Sequence, residues 1–380
     1  MPVVPSSCVP LAATRRRVTR RGPGGLLLAV AAIAFPAMAQ AYGLMAHEAI
    51  GALAAELLRG TPTERRVAAL LDGMSLQEAA IWADCAKTPS APVDGPPRAK
   101  PSAAAPCASL LRSDAQRAEI EAFVLAHPNH ARYHYADVPF QEPAYRAGTY
   151  GTDGSDVVQV LRECLLTLWR AGRDGPDPAV DGSKGPHRLA PRVALLLLAH
   201  LVGDLHQPLH VGVAYMGPDG QFGDPRRLPL DVLQPTEGDN LLVFSDGRSL
   251  HAAWDVEAPA RAMRRAGTAS PEGWAAHLLR RGIRVPDARS APGADCREAE
   301  VLRRPQRWAD ESLALSARIH ERLDVAGPTW VPPRLDGLQP RAAWQIRARP
   351  GQRDWTTAMA EQQVERAGRR LAAILQCVLP

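Results

Sequence analysis

Residues 193–210 read VALLLLAHLVGDLHQPLH and carry the strongest signal in this 380-residue sequence. The part Val193–Val202 is apolar on every side, which predicts a helix buried all round in a protein core. A membrane span is excluded because the run is shorter than about 20 residues and because His200 and Asp204 lie in the same helix. These two residues are four apart and share one helical face. Such a pair in an apolar helix needs a neutralising partner or ion, which indicates a metal site.

Further candidate ligands lie elsewhere in the chain. Pro208 ends or bends the predicted helix, so the next histidine can turn towards a second position. A later segment repeats this spacing of four residues with His251 and Asp255. Two more candidates are Asp84, at a helix end, and His134, between two tyrosines. These candidates are His210, His251, Asp255, Asp84 and His134. Together they supply more ligands than one zinc ion can use.

Helical patterns dominate the sequence. They cover residues 44–59, 113–126, 155–171, 191–206, 272–282, 307–323 and 355–376, and Ser75 and Glu78 form a capping box that predicts another helix through Asp84. The one strand pair that we expect lies near Leu241–Phe244, with Asp246-Gly247 as its turn. The predicted fold class is therefore mainly α, with room for one short β-hairpin.

Loops rich in proline and glycine separate the helices at residues 88–106, 173–186, 217–235 and 328–350. Segments of this kind lack the apolar content of a core, and we expect the first to be solvated. The composition, with 46% apolar and 22% charged residues, excludes wholesale disorder, collagen-like repeats and a small disulfide scaffold. We expect one domain over residues 42–380.

The first 41 residues are typical of a secretory signal, with a basic start, an apolar run at Leu26–Phe35 and a small-residue site at Ala39-Gln40-Ala41. The five arginines of this segment equal the formal net charge of +5, so residues 42–380 are formally neutral. Arg20-Arg21 leaves twin-arginine export open, although general secretion is favoured. We expect a periplasmic or extracellular protein that begins at Tyr42.

Export allows disulfide formation, and five cysteines follow the signal. Cys85 and Cys107 bracket a proline-rich loop and are the favoured pair. Two of Cys164, Cys296 and Cys377 can form a second pair, which leaves one thiol over.

Cleavage after Ala41 would give Tyr42 a free α-amine. That amine and the carbonyl oxygen of the same residue can chelate a metal beside His47. Without the predicted cleavage site, His47 would be interpreted as a polar residue on an amphipathic helix.

The order of these motifs resembles the S-one/P-one type nucleases, which are secreted zinc-dependent single-strand nucleases and 3′-nucleotidases. The motifs are Tyr42 to His47, Trp82-Ala83-Asp84, His134-Tyr135-Ala136-Asp137, His200 to His210, and Leu250-His251 with Trp254-Asp255. Similarity extends to Trp308-Ala309-Asp310-Glu311-Ser312 and to residues 367–372, so it covers essentially residues 42–380. The family starts with Trp where this chain has Tyr42, so we expect main-chain coordination to be kept and the ring packing at the metal to differ.

This resemblance implies a helical fold with three Zn²⁺ ions in one cleft. Asp84, His134 and His200 would hold one ion, and the amine and carbonyl of Tyr42 with His47 would hold a second. Asp204 would bridge these two ions. The third ion would be held by His210, His251 and Asp255.

The resemblance also implies residues that contact the substrate. Lys87 corresponds to the family's cationic residue at the phosphate, and Asn240 to its asparagine at the scissile group. Tyr135 and Asp137 correspond to its base-binding pair, in which an aromatic ring stacks and a carboxylate contacts the base edge. His206 lies inside the strongest motif but is no family ligand, so we expect a structural role.

The implied activity is endonucleolytic hydrolysis of single-stranded DNA and RNA to 5′-phosphate ends by a zinc-activated hydroxide, together with 3′-nucleotidase activity. One alternative is a zinc phospholipase C-like phosphodiesterase, but in those relatives the second helical pair is His with Glu rather than His251 with Asp255. The other alternative is an inactive zinc-binding protein, for which Lys87 and Asn240 would have no use. We expect a monomer that has nucleic acids and 3′-nucleotides as substrates, no stable protein partner and no contact with a membrane.

Overall fold

The computed structural model describes residues 43–87, 105–174, 185–283, 285, 296–331 and 341–380. Helices make up most of this described part, as the sequence predicts. The longer ones are α1 (Leu44–Leu58), α2 (Pro62–Leu71), α3 (Leu76–Ala86), α4 (Asp114–Ala126), α5 (Val157–Asp174), α6 (Pro191–His206), α7 (Ala258–Arg265), α8 (Pro271–Arg281), α9 (Glu298–His320) and α10 (Gln352–Val378).

Helix α3 begins at the predicted capping box. The Ser75 hydroxyl accepts from the Glu78 amide at 3.1 Å, and the Glu78 carboxylate accepts from the Ser75 amide at 2.9 Å. These bonds satisfy two amides that a helix start otherwise leaves without partners. The cap therefore fixes where α3 starts, and with it the position of Asp84 in the last turn.

Helix α6 lies at the centre of the helical core. Every residue from Ala194 to His206 is buried, which confirms the prediction of a helix buried all round. It packs against α3, α5 and α10, while α1 packs against α3 and α10. Among the described helices, α1, α2 and α9 also pack against α6, so six helices contact the one that carries His200 and Asp204.

Two disulfides join helices to their surroundings. Cys85 and Cys107 have Cα atoms 5.5 Å apart, which confirms the favoured pair. Cys296 pairs with Cys377 at 5.1 Å, and Cys164 is a buried free thiol, which settles the alternatives that the sequence left open. The first disulfide ties the end of α3 immediately after Asp84.

Strands are short except for one hairpin. They are β1 (Val138–Pro139), β2 (Gly212–Val213), β3 (Tyr215–Met216), β4 (Phe222–Gly223), β5 (Gln234–Pro235), β6 (Leu242–Val243), β7 (Leu323–Val331) and β8 (Arg341–Ala348). β1 pairs with β2 in parallel, and β3 pairs with β4 and β5. The third sheet has the order β6-β8-β7.

This part of the structure confirms one expectation in a minimal form and corrects another. The predicted turn at Asp246-Gly247 forms, with the Phe244 amide donating to the Arg248 carbonyl at 2.9 Å and an antiparallel bridge between Val243 and Ser249. The strand before the turn, β6, also pairs in parallel with the distant β8, which was not expected. Residues 328–350 were expected to be a loop, yet most of those that are described belong to β7 and β8. Pro328 is tolerated because β7 is an edge strand, where a missing amide breaks no sheet bond on the open side.

Parts of the predicted loops fall outside the described residues. This applies to residues 88–104, 175–184 and 332–340, and the signal segment and Tyr42 also lie outside the described residues. The loop at 217–235 contains β4, β5 and a helical turn at Leu230–Val232. No helix in the described ranges combines the length and apolar character that crossing a bilayer requires.

Candidate metal centre

Helix α6 brings the first two candidate ligands into the core. His200 and Asp204 are fully buried, and the His200 Nδ1 is 2.7 Å from the Ala80 carbonyl oxygen of α3. A bond from this nitrogen to a carbonyl leaves Nε2 as the lone-pair atom of a neutral ring. Nε2 lies 3.0 Å from Asp204 Oδ2. Two acceptors at this distance need a cation or a proton between them.

Asp84 and His134 complete one group around His200. The His134 Nδ1 is 2.9 Å from Asp204 Oδ2, 3.1 Å from His200 Nε2 and 3.7 Å from Asp84 Oδ1. His134 ends the helical turn His130–His134, and Asp84 lies in the last turn of α3. One nitrogen or oxygen from each of Asp84, His134 and His200 falls within 4.8 Å of the others.

His47 joins a second group with His200 and Asp204. Its Nε2 is 3.3 Å from Asp204 Oδ1, and its ring stacks on that of His200 with centroids 3.9 Å apart. A Cβ atom at Gly203 would come within 2.6 Å of the His47 ring. Gly203 is therefore needed for α1 and α6 to approach closely enough to bring these ligands together.

The third group contains His210, His251 and Asp255. The two imidazoles stack with centroids 5.1 Å apart, and the His251 Nε2 is 2.9 Å from Asp255 Oδ2. Backbone carbonyls fix both rings, with His210 Nδ1 3.0 Å from the His134 oxygen and His251 Nδ1 2.6 Å from the Gly238 oxygen. Asp255 lies in a π-helical turn, Ala253–Glu257, a local irregularity that often accompanies functional sites.

The electrostatics of the cluster fit a cation. Burial lowers the pKa of His134 to about 3 and also lowers the pKa of His47, so both rings are neutral and able to ligate. Burial also opposes charge on His200 and His251, yet the neighbouring carboxylates outweigh it and raise both pKa values. The site thus favours a positive charge beside the imidazole Nε2 atoms. By ligand type, burial and tautomer, the residues present fit zinc.

The S1/P1 Nuclease family model matches residues 42–380, nearly the whole chain. The protein belongs to the S1/P1 nuclease family. It is therefore a nuclease of a metal-dependent family, as the motifs predicted. No curated protein matches the chain individually.

In this S1/P1 nuclease, Lys87 contacts the first candidate metal group, and Asn240 follows two residues after Gly238, whose carbonyl oxygen holds His251 of the third. The Lys87 Nζ is 2.8 Å from Asp84 Oδ1, and a quarter of its side chain is exposed. Asn240 is half-buried and donates to the Glu237 carbonyl at 2.9 Å. The loop that carries Asn240 also supplies the Gly238 oxygen that holds His251.

The predicted base-binding residues follow His134 directly. An arginine that the sequence analysis did not single out, Arg132, organises them. It donates to Asp137 Oδ2 at 2.7 Å and to Asp153 Oδ2 at 2.6 Å, and its guanidinium lies 4.6 Å from the centroid of the Tyr135 ring. Arg132, Tyr135 and Asp153 line an open cavity of about 450 Å³. Arg132 lies two residues before the candidate ligand His134, and this closeness in sequence is the signal that could have identified it.

Two further contacts that support the site were not predicted from the sequence. Gln207 lies inside the strongest motif and donates to Asp255 Oδ1 at 2.7 Å. Asp239 is buried next to Asn240 and pairs with His320 at 2.9 Å. His206 has the structural role predicted for it, since its Nδ1 is 2.7 Å from the Val202 oxygen and its Nε2 is 2.9 Å from Arg370.

Proposed function

We propose that this nuclease is an exported zinc-dependent endonuclease that hydrolyses phosphodiester bonds of single-stranded DNA and RNA to 5′-phosphate ends. We extend the proposal to 3′-nucleotidase activity. The observation that carries it is the position of Asp204, whose Oδ1 lies 3.3 Å from His47 Nε2 and whose Oδ2 lies 2.9 Å from His134 Nδ1. A carboxylate that faces two ligand groups brings two metal positions close together, as in the two-metal sites of phosphate-cleaving enzymes.

The proposed ligand sets follow the three groups. Asp84, His134 and His200 would hold one Zn²⁺, and His210, His251 and Asp255 another. His47 would hold the remaining ion with the amine and carbonyl of Tyr42, while Asp204 would bridge this ion and the first.

Tyr42 lies outside the described residues, but its neighbour Gly43 lies beside Asp255 of the candidate site. A Cβ at Gly43 would come within 2.8 Å of the Asp255 carbonyl oxygen. The chain therefore passes directly against the segment that supplies a ligand of the third group, at the residue that follows Tyr42.

When bound, zinc ions supply Lewis acidity and lower the pKa of water towards neutrality. The remaining work falls to residues of the chain. Lys87 would contribute positive charge where the phosphate gains negative charge in the transition state, and the Asn240 amide would donate a hydrogen bond there. Asp84 keeps Lys87 in place by their 2.8 Å ion pair.

Selection of unpaired substrate would depend on Tyr135 and Asp137. Aromatic stacking on a base contributes about 1–3 kcal/mol with little dependence on sequence. A base inside a duplex is already covered on both faces and cannot stack on the ring. Arg132 covers one face of Tyr135, so we propose that the base occupies the other.

Export is supported by the two disulfides, since such bonds persist in oxidising compartments. The proposed mature chain begins at Tyr42, which is also where the family match begins. Signal cleavage is tested by N-terminal sequencing of the secreted protein.

The activity is tested on the protein beginning at Tyr42, loaded with zinc and incubated with single-stranded DNA in the presence or absence of a chelator. We expect cleavage that the chelator abolishes and products with 5′-phosphate ends. A zinc-loaded protein that leaves nucleic acid intact would refute the proposal and favour an inactive metal-binding protein or a lipid-directed phosphodiesterase.

A further inference from the structure

Trp330 is an unusual surface residue. It is 70% exposed, and among the described residues with exposed large apolar side chains it is the only tryptophan. Six other tryptophans are buried, namely Trp82, Trp169, Trp254, Trp274, Trp308 and Trp344. An indole left in water forgoes the free energy that burial of a large aromatic side chain provides, so the Trp330 ring is available to stack on a ligand.

The position of Trp330 in the sheet connects it to the metal centre. Trp330 in β7 pairs with Ala342 in β8, so both side chains lie on the same face of the hairpin. Ala342 is small and exposed. Nothing bulky at this cross-strand position therefore separates the indole from the far side of β8.

The loop that carries Asn240 lies on that far side. The Trp344 amide donates to the Leu241 carbonyl at 2.8 Å, which attaches the residue after Asn240 to β8. Glu237, in the same loop, forms an ion pair with Arg341 at the start of β8. Neighbouring strands are about 4.8 Å apart, so the backbone of Trp330 is roughly 10 Å from the Asn240 loop.

A nucleic-acid strand can span that distance. At the spacing of about 3.4 Å per nucleotide in a stacked strand, roughly 10 Å corresponds to about three nucleotides. A strand that is fixed at the metal centre and leaves past Asn240 would reach the indole within a few nucleotides.

We infer that Trp330 is a second stacking platform, which binds an unpaired base of the substrate strand a few nucleotides beyond the scissile bond on the Asn240 side. This inference rests on the proposed nuclease function and deepens it, because it makes the length of the single strand a determinant of affinity. Tyr135 and Trp330 would then bind bases at two separate points along one strand. A mononucleotide or dinucleotide would reach only one of them.

The test compares Trp330→Ala, Trp330→Phe and the unchanged protein on a long oligothymidylate and on a thymidine dinucleotide. Loss of one stacked base, about 1–3 kcal/mol, corresponds to a rise in KM of roughly fivefold to 150-fold. We expect this rise for Trp330→Ala on the long strand only, with kcat unchanged, and most of the affinity kept by Trp330→Phe. Leu125→Ala is the control, because Leu125 is 67% exposed on α4 and its truncation removes an exposed apolar side chain from a different element.

A long-strand KM that stays the same in Trp330→Ala, or that rises equally for the dinucleotide, would overturn the inference. Size-exclusion chromatography compares the oligomeric state of the two proteins. An unchanged protein that is an oligomer, together with a Trp330→Ala variant that is smaller, would assign the indole to self-association and also overturn the inference.

Failure of the proposed function would look different, since the unchanged protein would then cleave neither substrate. Fluorescence anisotropy of a labelled oligothymidylate with chelator-treated protein measures strand binding without turnover. Weaker binding by Trp330→Ala than by Leu125→Ala supports the platform in that assay, and equal binding counts against it.

Discussion

Gln207 donates from Nε2 to Oδ1 of Asp255 over 2.7 Å, and both side chains are buried. The carbonyl end of the same amide accepts from the Leu209 amide at 2.7 Å. The Gln207 side chain therefore cannot rotate without losing one of these bonds. It orients the Asp255 carboxylate so that Oδ2 is directed towards His251.

Replacement of Gln207 by Met should weaken metal binding in the third group. Loss of a residue that orients a ligand typically reduces metal affinity about 10-fold to 100-fold. We expect one metal ion to leave during dialysis against a mild chelator, while the others stay, as measured by elemental analysis. Gln363→Met is the matched control, because Gln363 is also buried and bonds the His206 carbonyl rather than a candidate ligand. Equal metal loss in the two variants would contradict this role.

His200→Ala and His251→Ala should differ in how many metal ions they lose. His200 is proposed to hold one ion, and its Nε2 lies 3.0 Å from Asp204, the proposed bridge to a second ion, whereas His251 belongs only to the third group. We therefore expect His200→Ala to lose the ions of two groups and all nuclease activity, and His251→Ala to lose one ion. Metal content per chain, measured by elemental analysis on folded protein, tests the difference. An active His200→Ala variant that keeps its full metal content would refute the assignment.

The local parts of the centre were predictable because helix geometry is local. A spacing of four residues places His200 with Asp204, and His251 with Asp255, whatever the remainder of the chain does. The capping box at Ser75 likewise fixed the helix that presents Asp84. The family resemblance then grouped ligands that the sequence alone leaves unconnected.

The missed features depend on contacts between distant segments. β6 pairs with β8, about 100 positions later, and no local pattern near Leu242 specifies that partner. Gln207 became a supporting residue only when Asp255 was placed beside it, 48 positions later in the sequence. Arg132 bonds Asp153 across a separation of 21 residues. Polar residues of this kind have ordinary sequence surroundings, so their roles emerge only from tertiary packing.

Tyr135→Ala should raise the KM for single-stranded DNA more than it lowers zinc content. The ring is the proposed stacking surface, and its loss removes about 1–3 kcal/mol per base, or roughly fivefold to 150-fold in KM. Tyr135→Phe keeps the ring and should keep most of the affinity. Steady-state kinetics with parallel metal analysis tests this. Equal KM values for Tyr135→Ala and the unchanged protein would refute the stacking role.

Cys164 should be unreactive in the folded protein. It is buried, and burial raises the pKa of its thiol, which disfavours the reactive thiolate. In the protein beginning at Tyr42 the other four cysteines form disulfides. A thiol reagent should therefore detect no thiol in native protein and one per chain after unfolding without a reductant. Detection of three or more would show that a disulfide had not formed.

Lys87→Met should reduce turnover and make metal retention more sensitive to acid. Burial favours a higher pKa for Asp84, but Lys87, His200 and His134 outweigh it and hold that pKa at about 2. Without the Lys87 charge the Asp84 pKa rises, so the carboxylate becomes protonated, and the metal is released, at a higher pH than in the unchanged protein.

Loss of a group that stabilises transition-state charge should also lower kcat about 10²-fold to 10³-fold at neutral pH. Lys87→Arg keeps the charge and should retain most of both properties. Metal content as a function of pH, together with kcat in zinc-replete buffer, separates the two effects, and a Lys87→Met variant with unchanged kcat would show that Lys87 supports only Asp84.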